Sequence, residues 1–312
     1  MSSEPMLTVL DPPTTRCRRF PGSTQLSDYW TLTKPEVNFL ILITTSVGFY
    51  LGCAREPREF SFLALFNSLL GTLLVASGTG TLNQYIERKF DAQMRRTARR
   101  PAAAGRLKPH AVLAFGIALA TAGSIYLAVA ASVLSSLLAL VTLLSYLFLY
   151  TPLKRRTPLC VLVGAFPGAM PPLIGWAAAS GQLNMRAWIL YAILFLWQFP
   201  HFMAIAWMYR EDYERAGYLV LPRGNARVPV AILETMLPPL ALVAFSIVQF
   251  TTWQPATLYG TGVLLSLGFL YFSLEFVLQR SRAAARRLLA ASIVYLPLLF
   301  VLSAILCNPT RS

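Results

Sequence analysis

Long apolar stretches alternate with short polar segments along most of this chain. A helix that crosses a bilayer needs about 20 mostly apolar residues, because about 30 Å of hydrocarbon is covered at about 1.5 Å per residue. About nine stretches meet this requirement, and each is bounded by charged residues or by Pro and Gly clusters. They lie near 37–54, 62–83, 110–130, 132–151, 159–180, 186–208, 229–251, 257–279 and 288–307. The pattern predicts an all-α, polytopic membrane protein with about nine transmembrane helices.

The same pattern divides the chain into three parts. Residues 1–36 form a polar tail, 37–307 a transmembrane domain and 308–312 a short C-terminal tail. The N-terminal tail contains Pro12, Pro13 and arginines, but it has no apolar run that resembles a secretory signal. The four cysteines are scattered without a CxxC spacing, so they predict neither a structural zinc site nor a disulfide framework.

Composition supports the membrane prediction. Of the 312 residues, 56% are hydrophobic and only 13% are charged, which is more apolar surface than a soluble domain of this length can bury. A soluble enzyme is therefore excluded as an interpretation.

The distribution of the cations predicts the orientation. The chain has 27 Lys and Arg residues and a net charge of +14. All but Arg55, Arg58, Arg186 and Arg311 fall in the N-terminal tail or in loops on the same side as that tail. Because loops rich in Lys and Arg face the cytoplasm, we expect a cytoplasmic N-terminus and an external C-terminus. The excess of positive charge then requires no nucleic-acid partner, since topology and anionic lipid account for it.

A first group of candidate site residues follows the second stretch. Asn83, Glu87 and Asp91 recur every four residues and so share one helical face. Magnesium prefers oxygen ligands and bridges carboxylates to substrate phosphates, while arginine binds the remaining phosphate oxygens through forked hydrogen bonds. The nearby arginines are Arg95, Arg96, Arg99 and Arg100. The three side chains could equally belong to a basic cytoplasmic loop in which the acids form solvated ion pairs with these arginines.

A second acidic group follows the sixth stretch, on the same predicted side of the membrane. Glu211, Asp212 and Glu214 lie there among arginines. Two groups of acids with arginines on one side favour a shared site over two sets of surface charges. Lys154 and Arg155 end the fourth stretch on that side and add cations suited to a phosphate.

His201 lies beside Pro200 inside the sixth stretch, where an idle polar ring is costly. It could ligate haem iron. It could equally pack between helices and bond a carbonyl freed by the proline. Gly and Pro residues crowd the fifth stretch and allow a bent helix there.

These features resemble the UbiA intramembrane prenyltransferase superfamily, whose members carry an Asn-x-x-x-Asp-x-x-x-Asp motif after the second span and another acidic motif after the sixth. Within it, the chain is most similar to the protohaem IX farnesyltransferase (haem O synthase) family, from about residue 28 to about residue 225. The similar segments are LTKPEV (32–37), MRRTARRP (94–101), YTPLKRRTP (150–158), GAMPPLIGW (168–176), WQFPHF (197–202) and DYERAG (212–217). Two positions depart from the pattern: Glu87 replaces an aspartate, and Ala216 stands where other branches have an acid.

The resemblance implies a central cavity open to the cytoplasm in which a farnesyl group passes from farnesyl diphosphate to a vinyl group of haem B. It implies Asn83, Glu87, Asp91 and Asp212 as catalytic residues around Mg²⁺, with either Glu211 or Glu214 beside Asp212. Adjacency favours Glu211. His201 and Trp197 are the candidates for contact with haem. The residues implied to bind the diphosphate are Arg95, Arg96, Arg100, Lys154 and Arg155.

Three other functions fit parts of the pattern. A prenyltransferase with an aromatic quinone-precursor acceptor would use the same diphosphate site. A secondary transporter would also have broken helices, but its ionisable residues usually lie near the bilayer midplane. A scaffold for oxidase assembly would use the acids for docking. For the farnesyltransferase we expect a bacterial inner membrane, and haem A synthase or oxidase-assembly proteins as partners.

Overall fold

The computed structural model describes residues 24–53, 60–221, 227–252 and 256–306. Most of the predicted N-terminal tail and all of 308–312 lie outside these residues, as do Arg55, Arg58 and Arg223.

All regular secondary structure in the described residues is helical, as predicted. A π-helical segment, Ser145–Tyr150, joins α5 to α6. In chain order the helices are α1 (Gln25–Leu32), α2 (Pro35–Cys53), α3 (Phe62–Asp91), α4 (Pro109–Ala130), α5 (Val133–Leu144), α6 (Thr151–Leu153), α7 (Cys160–Gly168), α8 (Pro171–Ser180), α9 (Met185–Met208), α10 (Arg210–Arg215), α11 (Arg227–Thr252), α12 (Ala256–Gln279) and α13 (Arg282–Leu306).

Nine helical segments in the described residues are long and apolar enough to cross a membrane, which confirms the predicted number. The second span is longer than predicted: α3 runs past residue 83 to Asp91, because its polar final turns remain good helix-forming sequence. The ninth span begins at Arg282, before the predicted residue 288. The fifth span is divided into α7 and α8, where Pro171 and Pro172 supply no backbone N–H groups for a continuous helix.

The helices form two packed groups. In the first, α2 lies along α8 and α3 lies along α4. In the second, α9, α11, α12 and α13 pack against one another. Glycines allow the α2–α8 contact: a Cβ on Gly175 would lie 2.0 Å from the backbone oxygen of Thr45, and one on Gly48 would lie 2.1 Å from that of Pro172. Backbones therefore approach closely at this contact, as small residues permit between membrane helices.

Helix α1 packs against the first group rather than projecting from it. Thr24 caps the helix, and Asp28 pairs with Arg106 at 2.9 Å. At its end, the carbonyl oxygen of Leu32 accepts a hydrogen bond of 2.9 Å from Gln84 of α3. The chain then turns through Lys34, whose φ of 54° lies in the left-handed region that costs a non-glycine residue free energy. This turn directs Lys34 towards α3.

Candidate active site

The ends of several helices meet at one end of the bundle, formed by residues 83–100, 151–155 and 209–219, which we call the polar end. The backbone N–H of Leu219 donates to the carbonyl oxygen of Lys154 at 2.6 Å, and the rings of Phe90 and Tyr218 lie 6.3 Å apart. These contacts bring the residues after α9 together with the end of α3. The two acidic groups thus lie in one region.

The stripe on α3 is buried. Asn83, Glu87 and Asp91 are 1%, 4% and 1% exposed. A solvated loop would leave these side chains in water, so the alternative interpretation of surface ion pairs does not fit their placement. Burying carboxylates is costly unless they are paired.

Each of the three side chains contacts a lysine or an arginine. Lys34 Nζ donates to Asn83 Oδ1 at 3.1 Å, and Lys154 Nζ lies 2.9 Å from Glu87 Oε1. Arg100 Nη1 lies 2.8 Å from Asp91 Oδ2. The other oxygen of Asp91, Oδ1, is buried and accepts no hydrogen bond from the described residues. Among the described residues, this buried oxygen is thus left open to a ligand at the polar end.

Arg96, in the loop that follows the first acidic group, contacts the second acidic group. Its backbone N–H donates to Asp212 Oδ2 at 3.3 Å, and its guanidinium donates to the Tyr213 hydroxyl at 3.3 Å and lies over the Tyr209 ring. Arg215 Nη1 lies 3.3 Å from Asp212 Oδ1. The loop that follows α3 therefore places Arg96 and Asp212 in direct contact.

Other predicted residues lie farther from these contacts. Asp212 is 9% exposed, whereas Glu211 and Glu214 lie on the exposed side of α10, because consecutive helical residues point about 100° apart. Arg95 is exposed, and the exposed Arg155 guanidinium lies over the ring of Phe90 at 4.1 Å.

The side chains at the polar end do not form a complete metal site by themselves. In the part of the chain that the structure describes, no three His, Cys, Asp or Glu side chains form a group that would hold a metal ion by themselves. A cavity of about 350 Å³, lined by residues including Cys53, Ala131 and Ala179, lies at the opposite end of the bundle. The central cavity expected at the polar end stays a prediction.

Two residues at the site were not found from the sequence. Burial, followed by the charge of Arg100, lowers the pKa of Lys34 to about 7. Burial also raises the pKa of Tyr218, whose hydroxyl is buried beside the Glu87 carboxylate. The signal that could have identified Lys34 is a lone cation immediately before the first predicted span, in LTKPEV.

Lys154 is held in its charged form. Burial alone would lower its pKa, but the Glu87 carboxylate outweighs this effect and holds the pKa well above its usual value. Its ammonium group also lies 4.5 Å from the centre of the Tyr150 ring, which favours the cation further.

His201 is fixed by contacts within the second helix group. Its Nδ1 lies 2.8 Å from Ser292 Oγ, and its ring stacks on that of Trp197 with 4.6 Å between ring centres. Trp197 Nε1 in turn donates to the carbonyl oxygen of Ser292 at 2.8 Å. These contacts satisfy the packing interpretation, and they also orient the ring so that Nε2 has no hydrogen-bond partner among the described residues.

Comparison with known sequences decides the family. Residues 41–303 match the UbiA prenyltransferase family. A protein of Solibacter usitatus (strain Ellin6076) called protoheme IX farnesyltransferase is 45% identical over 282 residues, which cover 88% of this chain and 97% of that protein. The chain belongs to the UbiA prenyltransferase family. It is therefore a multi-pass membrane transferase.

Solved structures of other membrane proteins share this fold. A digeranylgeranylglyceryl phosphate synthase matches 91% of this chain and 98% of its own with a TM-score of 0.72 and 15% identity. A UbiA homologue from Archaeoglobus fulgidus bound to GPP and Mg²⁺ matches 87% of this chain and 100% of its own, with a TM-score of 0.61 and 12% identity. At these identities the likeness supports the fold alone.

Proposed function

We propose that this protein transfers the farnesyl group of farnesyl diphosphate to a vinyl group of haem B and so produces haem O. The observation that carries the proposal is the buried stripe of Asn83, Glu87 and Asp91, each in contact with a lysine or an arginine, in a chain that is 45% identical to a protoheme IX farnesyltransferase. A buried set of oxygens and cations is what a diphosphate leaving group with a bound metal requires.

The residues at the polar end fit Mg²⁺. Asp91 Oδ1 is a buried oxygen that no described residue hydrogen-bonds, and Glu87 lies one helical turn away on the same face. Magnesium is commonly bound by one or two carboxylates together with substrate phosphates, so a set of side chains that is incomplete without the diphosphate is what this chemistry needs. Asn83, Glu87, Asp91 and Asp212 would hold the metal, which would neutralise charge on the departing diphosphate. Glu211 as a further ligand stays a prediction.

The cations at the polar end would bind the diphosphate. Lys34, Arg100 and Lys154 already lie within hydrogen-bond distance of the stripe. As the carbon–oxygen bond of the allylic diphosphate breaks, negative charge grows on the leaving group, and preorganised cations stabilise it. Arg95, Arg96 and Arg155 remain predicted contributors at the rim of the site.

The acceptor side of the reaction is assigned to α9. The Ser292 contact fixes the His201 ring and leaves Nε2 available to haem iron, as a hydrogen bond to the other ring nitrogen does in metal sites. Trp197, stacked on that ring, would bound the haem. The vinyl group would then attack the farnesyl cation, and water would add to the resulting carbocation and lose a proton to give the hydroxyethyl substituent.

Haem spectra test the assignment of His201. We expect His201→Ala to shift the Soret band of bound haem B and to bind haem B about tenfold more weakly or worse, because a nitrogen ligand of the iron would be removed. His110→Ala is the matched control, since His110 is the other histidine of the chain and is exposed at the start of α4. An unchanged spectrum in His201→Ala would leave this histidine as a packing residue.

We also propose that the polar end faces the cytoplasm of a bacterial inner membrane. The bias of Lys and Arg towards the loops of this end supports the orientation, because such loops remain on the cytoplasmic side. The farnesyl chain would lie among apolar helices while its diphosphate meets the polar end. A haem A synthase or an oxidase-assembly protein is proposed to receive the product.

Direct product analysis tests the reaction. Purified protein in lipid nanodiscs would be incubated with haem B, farnesyl diphosphate and Mg²⁺, and haem O would be sought by mass spectrometry. We expect haem O, and its loss when the metal is chelated. Prenylation of a phenolic acceptor instead would assign the chain to quinone-precursor chemistry, and no product with any acceptor would favour the transporter or scaffold.

A further inference from the structure

The end of α10 directs Tyr218 into the polar end. Gly217 has a φ of 70°, which favours glycine, and its backbone N–H donates to the carbonyl oxygen of Glu214 at 3.2 Å. The N–H of Tyr218 donates to the carbonyl oxygen of Tyr213 at 2.8 Å. These two bonds form a Schellman motif, which ends a helix and turns the chain back across its last turn. The Tyr218 ring consequently packs against Tyr213, with 6.0 Å between ring centres, and against Phe90 of α3.

The Tyr218 hydroxyl is buried among charged groups. Tyr218 is 4% exposed, its hydroxyl lies beside the Glu87 carboxylate, and Lys154 Nζ is 5.9 Å from the centre of its ring. In the part of the chain that the structure describes, nothing hydrogen-bonds this hydroxyl. A buried polar group without a hydrogen-bond partner costs free energy, so native proteins rarely keep one without a reason.

Packing explains the ring of Tyr218 but not its hydroxyl. The ring belongs to a small apolar cluster with Met94 and Ala216, beside Phe90. Phenylalanine would fill the same space and would bury no unpaired donor. The neighbouring Glu87 carboxylate is already paired with Lys154 at 2.9 Å. The hydroxyl is therefore placed for an acceptor that a ligand brings.

The surroundings of the hydroxyl select the chemistry of that acceptor. Burial raises the pKa of Tyr218, so the phenol keeps its proton and acts as a donor. The nearby Lys154 ammonium favours a ligand that carries negative charge. A hydrogen bond to an ionised oxygen is roughly twice as strong as one to a neutral oxygen. Phosphate oxygens meet these requirements, and so do the propionate oxygens of haem.

We propose that the Tyr218 hydroxyl donates a hydrogen bond to a phosphate oxygen of the prenyl diphosphate, and that this bond assists ionisation. The phosphate is favoured over the propionate because the hydroxyl lies beside Glu87, on the stripe where the diphosphate is proposed to bind. As the allylic carbon–oxygen bond breaks, its electron pair leaves with the diphosphate, and the hydrogen bond strengthens with the growing charge. The phenol keeps its proton throughout. This inference rests on the proposed function, and it adds a neutral donor to the cations of that site.

Tyr218→Phe should affect stability and activity differently. Removal of an unpaired buried hydroxyl should leave the ligand-free protein at least as stable as the wild type. The single-turnover rate divided by Kd for farnesyl diphosphate should fall roughly 10- to 100-fold, the loss expected for one hydrogen bond to a charged group. SDS titration in mixed micelles measures the stability, and haem O formation at varied farnesyl diphosphate in nanodiscs measures the activity. A hydroxyl that serves only the fold would lower stability and leave the rate per folded molecule unchanged.

Binding measurements separate the diphosphate from other groups near the hydroxyl. With Mg²⁺ present, Tyr218→Phe should bind farnesyl thiolodiphosphate, which resists ionisation, about threefold more weakly or worse in equilibrium dialysis, because the hydrogen bond already forms in the ground state. The affinity for haem B, and the affinity for Mn²⁺ without a prenyl ligand, should be unchanged. A loss confined to haem B would assign the hydroxyl to a propionate, and a loss of Mn²⁺ affinity would show that it acts through Glu87. Either result overturns the proposal.

Tyr126→Phe is the matched control. Tyr126 is also partly buried, but it lies in α4 and its hydroxyl donates to Asn67 Oδ1 at 2.8 Å. Loss of this hydroxyl should lower stability, because Asn67 loses a donor, while the thiolodiphosphate affinity and the rate per folded molecule stay as in the wild type. If Tyr218→Phe loses stability as Tyr126→Phe does, or fails to fold, its hydroxyl serves the structure and the proposal is wrong.

Failure of this proposal is distinguishable from failure of the proposed function, since the stability and thiolodiphosphate measurements contain no haem. Weaker thiolodiphosphate binding with undiminished stability, in a protein that forms no haem O, would support the donor and reject the acceptor. Haem O formation by Tyr218→Phe at the wild-type rate would support the proposed function and reject the donor.

Discussion

Asp91→Asn is expected to reduce haem O formation by about 10²- to 10³-fold, the loss typical when a group that stabilises transition-state charge is removed. Asp91 is 1% exposed and pairs with Arg100 at 2.8 Å, and its other carboxylate oxygen is buried with no hydrogen-bond partner in the described part of the chain. The amide keeps the shape of the side chain but loses the charge that a metal needs. Single-turnover product formation, followed by mass spectrometry, measures the effect.

Asp28→Asn is the matched control for this prediction. Asp28 is also buried, at 5% exposed, and also pairs with an arginine, but it belongs to α1 and contacts Arg106. Its replacement should lower thermal stability while the single-turnover rate of the folded protein changes far less. Equal losses of rate in the two variants would show that Asp91 acts through folding.

Gly175→Ala is expected to destabilise the bundle by about 3 kcal/mol, near the upper end of the usual cost of overpacking. The new Cβ would lie 2.0 Å from Thr45 O and 2.8 Å from Phe49 N, both backbone atoms that cannot rotate away. Helices α2 and α8 would have to separate. Unfolding of the protein in mixed micelles by increasing SDS would measure the change in stability.

Gly268→Ala provides the comparison within another spanning helix. A Cβ at Gly268 in α12 would meet no heavy atom within 4 Å. The substitution should be neutral or slightly stabilising, because alanine favours a helix by about 1 kcal/mol over glycine. If Gly175→Ala and Gly268→Ala reduced stability by similar amounts, the close approach of α2 and α8 could not be the cause of the loss in Gly175→Ala.

Most of the fold could be predicted from hydropathy, because each span must bury its own backbone polar groups and carry an apolar surface. The end of α3 was harder to predict, since its last two turns carry Asn83, Glu87 and Asp91 and so fall outside an apolar window while remaining helical. The division of the fifth span agrees with its prolines, although sequence could not locate the break between Gly168 and Pro171.

The site was only partly predictable, for a geometric reason. A period of four places Asn83, Glu87 and Asp91 on one face, but nothing in that period identifies the cation that pairs with each. Lys34 reaches Asn83 because α1 packs against α3 and the chain turns at a positive φ, both of which are tertiary features. Adjacency favoured Glu211 beside Asp212, whereas the helical phase of α10 turns Glu211 outward.

The length of the loop between α3 and α4 is constrained by the contacts that its arginines make. Within one short segment, Arg96 bonds Asp212, Arg100 pairs with Asp91, and Arg106 bonds both Asp28 and the Arg99 carbonyl oxygen. An inserted or deleted residue would move these attachments out of register together. We therefore expect related proteins to conserve the number of residues in this loop, and to accept insertions instead in connections at the opposite end of the bundle.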